Sequence, residues 1–426
     1  MNRNLVIFIL PVILLLIDWY VWQAIKTLSR SASEGTQRTI AIIYWGFTAV
    51  AISLYVIVQL LPADSLSRQT RTLMWAGIAV PYFSKFIAIL FLFVDDIVRF
   101  FRWVVSLFST PETRQVVQDG TPSVNTDSNT ITRSDFLMKT ALVAGAVPLV
   151  AFSWGIISGA HDYRIRRVRL PMKNLPSGFA GMTIAQISDI HSGSFFNKTA
   201  VRGGVEMLLK QKPDMVFFTG DLVNTHAEEV NDYIDVFNKV KAPLGVYSTL
   251  GNHDYGTYVQ WPSDQARRQN VQNVVAAHKQ MGWNIMLDEH KILEQNGDKI
   301  ALIGVQNLGF GPAALRMGNL AKAYAGTEDM PVKLLLSHDP THWDAQVRPQ
   351  YPDIDMTFSG HTHGAQFGVE VGDMKWSPVQ YFYRQWAGLY QEGNQRLYVN
   401  RGYGYIGYPG RVGILPEITI FELVKA

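Results

Sequence analysis

Four apolar runs crowd the first 160 residues: 5–22 (LVIFILPVILLLIDWYVW), 40–61 (IAIIYWGFTAVAISLYVIVQLL), about 73–94 and roughly 136–159. A helix rises about 1.5 Å per residue, so about 20 apolar residues cross a bilayer core. Each run reaches that length, and four of them are hard to bury inside a soluble domain. They predict transmembrane helices. Trp19, Tyr20 and Trp22 sit at one end of the first run, where amphipathic rings favour the headgroup level. A cleaved signal peptide would not account for the other three. Asp18, Lys85, Asp95 and Asp96 lie in or beside the runs. Charge in lipid is costly, and Asp18, near a span end, is expected to reach the interface. Residues 95–108 (DDIVRFFRWVVSLF) read as an amphipathic helix lying on the membrane surface.

A chain of 426 residues implies more than one unit. The expected division is a membrane region over 1–110 with about three helices, a polar flexible linker over 111–135, a fourth span over 136–160 and a soluble domain over 161–426. Arg164, Arg166, Arg167, Arg169 and Lys173 follow the last span, suited to anionic lipid heads. The net charge of +3 gives no reason to expect nucleic acid as a partner. The absence of cysteine excludes disulfides, thiolate-bound zinc and cysteine-linked lipid anchors.

From about residue 180 the texture becomes α/β. Short apolar strands (MTIAQIS, DMVFFTG, LGVYSTLG) alternate with helix-length segments, followed by strand-rich sequence (KIALIGV, VKLLLS, DMTFSG, QRLYVNR, EITIFEL). This order predicts a layered α/β sandwich rather than a barrel. The early strands and two later ones run into polar, metal-capable residues: SDIHSG with Asp189 and His191, GDLVN with Asp221, GNHD with Asn252, His253 and Asp254, LSHDP with His338, and SGHTHG with His361 and His363. Ligands of open α/β sheets bind outside the carboxyl ends of strands, so these loops can converge. Oxygen and imidazole donors suit a pair of divalent cations, and a carboxylate can bridge two of them. Both imidazoles of a His-x-His turn reach one site only if the backbone curves tightly; Gly360 and Gly364 would supply that freedom. Each motif alone is ordinary turn chemistry. Together they take five of ten histidines to predicted strand ends, which makes a metal site the better reading. His161, His226, His278, His290 and His342 have no such placement and read as structural or surface residues.

Residues 182–423 resemble the calcineurin-like metallophosphoesterases, whose pattern is D-x-H, G-D, G-N-H-D/E, a lone H, and G-H-x-H; all five blocks occur here in order. The resemblance implies a four-layer αββα sandwich holding two divalent metal ions (manganese, iron or zinc). Carried over by motif, Asp189, His191 and His363 would hold one ion, Asn252, His338 and His361 the other, and Asp221 both. His253 would steady the phosphoryl group or protonate the leaving oxygen, with Asp254 orienting it. The segment 398–423 is similar to the close of a membrane-attached bacterial branch of the family. That branch favours a membrane-spanning or twin-arginine N-terminus, and TRSDFLMKT (132–140) is similar to the latter, with Ser134 where the second arginine belongs. An integral protein of a bacterial cell membrane is implied, its catalytic domain outside the cytoplasm. Charge does not decide the side: seven Lys/Arg in the loops at 26–38 and 95–136 face eight on the other side.

The implied chemistry is hydrolysis of a phosphomonoester or phosphodiester by attack of a metal-bridged hydroxide. Trp376, Tyr381, Tyr383, Trp386 and Tyr390, with Tyr403, Tyr405 and Tyr408, could wall the site and admit a lipid-linked substrate from the bilayer, or could be ordinary packing. Arg384, Arg401 and Arg411 are candidate phosphate contacts. Two other functions remain open: a pyrophosphatase acting on a nucleotide-linked lipid precursor at the cytoplasmic face, and a non-enzymatic receptor or scaffold on the same fold. The last would be expected to lack ligands, and none of the seven is missing.

Overall fold

The structure, a computed structural model, describes residues 3–62, 65–108, 133–311, 314–372 and 374–426. The chain divides into two compact units, Met1–Ser153 and Trp154–Ala426. Of the linker expected over 111–135, residues 111–132 lie outside the described residues, and the rest open a helix.

The first unit is helical: α1 Arg3–Leu28, α2 Glu34–Leu60, α3 Arg68–Phe108 and α4 Arg133–Ile157, whose last turn falls in the second unit. All four are long and apolar enough to cross a membrane. Two expectations are corrected here. Residues 95–108 are not a separate surface helix; they continue α3, where Asp95 meets Arg99 one turn on. Asp18 does not reach an interface. It is fully buried, paired with Lys85, and accepts hydrogen bonds from Tyr44 (3.1 Å) and Tyr82 (2.6 Å). Low dielectric makes an unpaired carboxylate far costlier than this satisfied cluster.

The second unit is built on strands β1 Arg164–Met172, β2 Thr183–Ile187, β3 Met215–Phe218, β4 Val246–Ser248, β5 Asn284–Ile285, β6 Glu289–Gln295, β7 Asp298–Gly304, β8 Lys333–Leu336, β9 Met356–Ser359, β10 Val369–Val371, β11 Met374–Trp376, β12 Gly388–Glu392, β13 Gln395–Val399 and β14 Glu417–Lys425. One six-stranded sheet has the order β1-β14-β2-β3-β4-β5, the other β12-β13-β9-β8-β7-β6, and β10 and β11 form a separate ribbon. The sheets stack face to face. Ile184, Met215 and Phe217 from the first pack with Leu302, Leu334 and Phe358 from the second. Alternate residues turn outward, as a period of two requires. Ala185, Val216 and Phe218 meet Val205 and Leu208 of α5 (Lys198–Leu209) and Val274 and Ala277 of α6 (Asp264–Gln280), while Ile303 and Leu335 meet Trp343 and Val347. Four layers result, helix–sheet–sheet–helix.

β2, β3 and β4 run parallel in one sheet, and β7, β8 and β9 in the other. Parallel pairing gathers the carboxyl ends of each set on one edge. Gln186 ties the two sheets there, its buried side-chain amide donating to Ser359 O on the facing strand and to Thr219 Oγ1, both at 3.0 Å.

Phe217 is fully buried between the sheets, edge-on to Phe358 with ring centroids 5.1 Å apart. Phe217→Ala should cost about 3–5 kcal/mol of stability. Thermal and chemical unfolding of the purified protein would measure it, and a loss below about 1 kcal/mol would contradict close packing between the sheets.

Candidate metal centre

Five strands deliver their next residues to the shared edge. β2 leads into Asp189 and His191, β3 into Asp221, β4 into Asn252, β8 into His338 and β9 into His361 and His363. Backbone bonds lace the loops together: Asp189 N donates to Gly220 O (2.9 Å), His191 N to Asp221 O (3.1 Å), and Gly360 N to His338 O (2.9 Å). His361 N, from the other sheet, donates to the Asp189 carboxylate at 2.9 Å.

The seven expected ligands converge. Asp189, His191 and His363 bring one donor atom each to within 4.8 Å of one another, and so do Asp221, His338 and His361. The groups meet at Asp221, whose Oδ2 lies 3.5 Å from His191 Nε2 and 3.1 Å from His338 Nε2. Asn252 Oδ1 completes the second group, 3.1 Å from His338 Nε2 and 2.7 Å from His361 Nδ1. Five of the seven are non-glycine residues at positive φ: Asp189 (52°), His191 (49°), Asp221 (61°), His361 (75°) and His363 (51°). Such conformations are costly and persist only where the surroundings enforce them.

The role expected of the glycines therefore changes in part. Gly364 has φ 55°, but Gly360 is not among the residues at positive φ. Gly360 is required for space: a Cβ there would lie 2.0 Å from Ser188 Oγ and 2.2 Å from Asp189 Oδ2. The curve of the turn is made largely by the histidines themselves.

The donors fit divalent cations. His191 and His363 are buried, yet their Nε2 atoms have no hydrogen-bond partner. Orphaned buried nitrogens are rare unless another group satisfies them. His338 Nδ1 donates to Thr219 O at 2.6 Å, which orients the ring with Nε2 toward Asp221 Oδ2 and Asn252 Oδ1. Burial pushes His191 down to about 3 and His363 well below its ordinary value, so both imidazoles are neutral. Burial also pushes Asp189 up to about 6. At Asp221 burial acts upward, but His338 and His253 outweigh it and hold the carboxyl well below the usual range. Burial would lower His338; the Asp221 carboxylate instead carries it up to about 10. The metal-free pair is thus a carboxylate against an imidazolium.

Beside the donors, His253 has an orienting partner other than the expected Asp254. Its Nδ1 donates to Asn224 O at 2.9 Å, and its ring stacks on Tyr258 with centroids 4.4 Å apart. Asp254 is spent on the backbone, accepting from the N–H groups of Asp221 (3.0 Å), Leu222 (2.9 Å), Val223 (3.2 Å) and Gly251 (2.9 Å). It fixes the Asp221 turn, and the Asn224 carbonyl orients His253.

The three arginines do not face the donors with free guanidinium groups. Arg401 is buried against Glu417 and Glu370. Arg411 is buried and donates to the carbonyls of Gly402, Gly404, His363 and Ile414. Arg384 is exposed and lies near Asp344 and Glu392. The expected aromatic wall is divided: Trp386 packs with Val379 and Ile414, and Tyr403 and Tyr405 pack with Tyr163 and Phe195, while Trp376 and Tyr381 are exposed. Tyr383 alone of that group touches a donor, its hydroxyl 2.8 Å from His361 Nε2. Asp339, 3.7 Å from the same nitrogen, and Asn224 were not singled out by sequence. Asp339 stands in LSHDP, where its adjacency to His338 was the available signal.

Two family profiles match the chain. Residues 2–160 match "Probable Calcineurin-like phosphoesterase, transmembrane domain" and residues 182–365 match "Calcineurin-like phosphoesterase". The chain is 29% identical to an uncharacterized metallophosphoesterase, YkuE, of Bacillus subtilis, over 69% of this chain and 98% of that one. It is 29% identical to a transmembrane protein with metallophosphoesterase domain from Danio rerio, over 67% of this chain, and spans 62% of that protein's length. It is 26% identical to the UDP-2,3-diacylglucosamine pyrophosphatase LpxG of Chlamydia muridarum, over 54% of this chain and 77% of that one.

A neutral His338 is needed to ligate a cation, and without metal it holds a proton up to about pH 10. Cation entry must then release that proton, so affinity should rise with pH below that value, by about tenfold per unit. Titration of the metal-free protein with Mn²⁺ between pH 6.5 and 8.5 checks this; an affinity independent of pH would refute it.

Proposed function

The chain belongs to the calcineurin-like phosphoesterases, with the family's transmembrane domain ahead of its catalytic one, and from that premise we propose a membrane-anchored phosphoesterase dependent on two divalent ions, hydrolysing a phosphomonoester or phosphodiester. The observation that carries the reading is the shared Asp221 carboxylate between two donor groups, one of them with orphaned imidazole nitrogens. Asp189, His191 and His363 would hold one ion, Asn252, His338 and His361 the other, and Asp221 both. Bound there, divalent ions would supply Lewis acidity toward phosphoryl oxygens and a water of lowered pKa.

The chain's own groups do the rest. Asn224 O accepts a hydrogen bond from His253 Nδ1–H and so orients the ring; Nε2, when protonated as the imidazolium, gives that proton to the departing alkoxide and regains one from the attacking water. Tyr258 holds the plane of that ring and accepts from Asn252 Nδ2 at 2.6 Å, linking the proton donor to a ligand. Asp254 keeps the Asp221 turn rigid. In this reading the catalytic unit faces outside the cytoplasm of a bacterial cell.

A second reading has one support, the resemblance to LpxG: cleavage of a pyrophosphate in a nucleotide-linked lipid. It uses the same residues but needs the cytoplasmic face. Protease protection in sealed cells, with a panel of chromogenic monoesters, diesters and nucleotide-linked pyrophosphates, separates the two.

Asp221→Asn should lower turnover by more than about a hundredfold and reduce the metal bound per chain; full activity with full metal content would refute the shared role. His253→Ala should leave metal content unchanged and slow hydrolysis by about 10²–10⁴-fold, most for esters with poor leaving groups. Equal slowing across leaving groups would remove His253 as the acid.

A further inference from the structure

The ribbon that follows the metal turn is amphipathic the wrong way round for water. β10 and β11 pair antiparallel, Val369 with Trp376, Glu370 with Lys375, Val371 with Met374. Alternation along a strand sends neighbours to opposite faces. Here the charged pair turns inward. Glu370 meets Arg166 and Arg401, and Lys375 donates to Ala387 O and lies over the rings of Trp386 and Tyr390. The apolar residues turn outward, Val369 at 47% exposure, Val371 at 65%, Met374 at 64% and Trp376 at 39%. The next turn extends the patch with Tyr381 (74%) and Phe382 (83%). Exposed apolar surface this contiguous marks a contact with something apolar.

The end of an apolar helix lies beside it in the same compact unit. The last turn of α4, in the same compact unit, carries exposed Trp154 and Ile157 and ends a helix apolar enough to span a bilayer. Gly155 O accepts from Arg411 N at 3.2 Å, and a Cβ on Gly155 would lie 2.8 Å from Val412 Cγ2. Val412 in turn bridges to Phe367, and Gly368 N donates to Val412 O at 2.9 Å. The backbone of residues 411–412 therefore links the last turn of α4 to the start of β10. Exposed Tyr and Trp with aliphatic neighbours are the residues of the headgroup layer.

We propose that the β10–β11 ribbon with Tyr381 and Phe382 is a membrane-docking face, which seats the catalytic unit on the lipid surface of the bilayer that the chain itself spans. Tyr383, which follows Phe382, touches His361, so docking holds the site's edge at headgroup level. The proposal rests on membrane anchorage and not on which ester is cleaved, so a failed phosphoesterase assay leaves it standing.

The chain has no cysteine, so a single substitution gives a unique label site. Val371→Cys and Phe382→Cys, each carrying an environment-sensitive fluorophore, are compared with Lys299→Cys, an exposed position at the amino end of β7, opposite the site edge. The full chain is reconstituted in phosphatidylethanolamine–phosphatidylglycerol vesicles containing doxyl-labelled lipid. Each variant must first match the parent's unfolding temperature, and Met374→Cys replaces one that does not. Quenching at 371 and 382 at least twofold greater than at 299 is expected. Quenching no greater than at 299 overturns the proposal, as does blue-shifted emission without quenching, which would mean that a protein surface covers the ribbon.

Discussion

Burying the Asp221 carboxylate would be prohibitively unfavourable without opposing charge close by. The fold meets that demand with His338 after β8, whose Nε2 stands 3.1 Å from the same oxygen that neutral His191, after β2, approaches to 3.5 Å. A cation or a proton must sit among these groups for the edge of the sandwich to be stable, and the pair holds a proton on His338 when metal is absent. Asp254 reinforces the arrangement from below by taking up the N–H groups of Asp221, Leu222 and Val223, which would otherwise be unsatisfied. Much of what looks like catalytic design at this edge is thus also what keeps its loops folded.

The conformational cost falls in the same place. Asp189, His191, Asp221, His361 and His363 all adopt left-handed backbone, and Gly360 and Gly251 are locked by clearance, since a Cβ on Gly251 would lie 2.2 Å from Asp221 Oδ1. Such strain is stored where surrounding structure is strong enough to hold it. The stacked sheets, with Phe217, Phe358 and Leu334 between them, are that support.

The positions of the donors could be read from sequence because each follows a short apolar strand, and strand ends are where such sheets put their ligands. What could not be read depended on burial and on partners distant in sequence. Arg401 and Arg411 look like phosphate contacts until Glu417 and a ring of carbonyls are found around them. Asp254 follows His253 in sequence, yet its carboxylate bonds to a loop about thirty residues earlier. Asp95 and Asp96 suggest the end of a span, but Arg99 lies four residues on and the helix runs through to Phe108. In the ribbon, which face turns outward is set by Arg166 and Arg401, far away in the chain.

The place of β14 has a consequence for biosynthesis. It lies between β1 and β2, pairing in parallel with one and antiparallel with the other. The strands that carry Asp189, Asp221 and Asn252 therefore emerge from the ribosome long before their sheet can close, which must wait for residue 425. Contacts so distant in sequence form slowly, and during that interval the nascent apolar strands stand without the partner that completes their sheet.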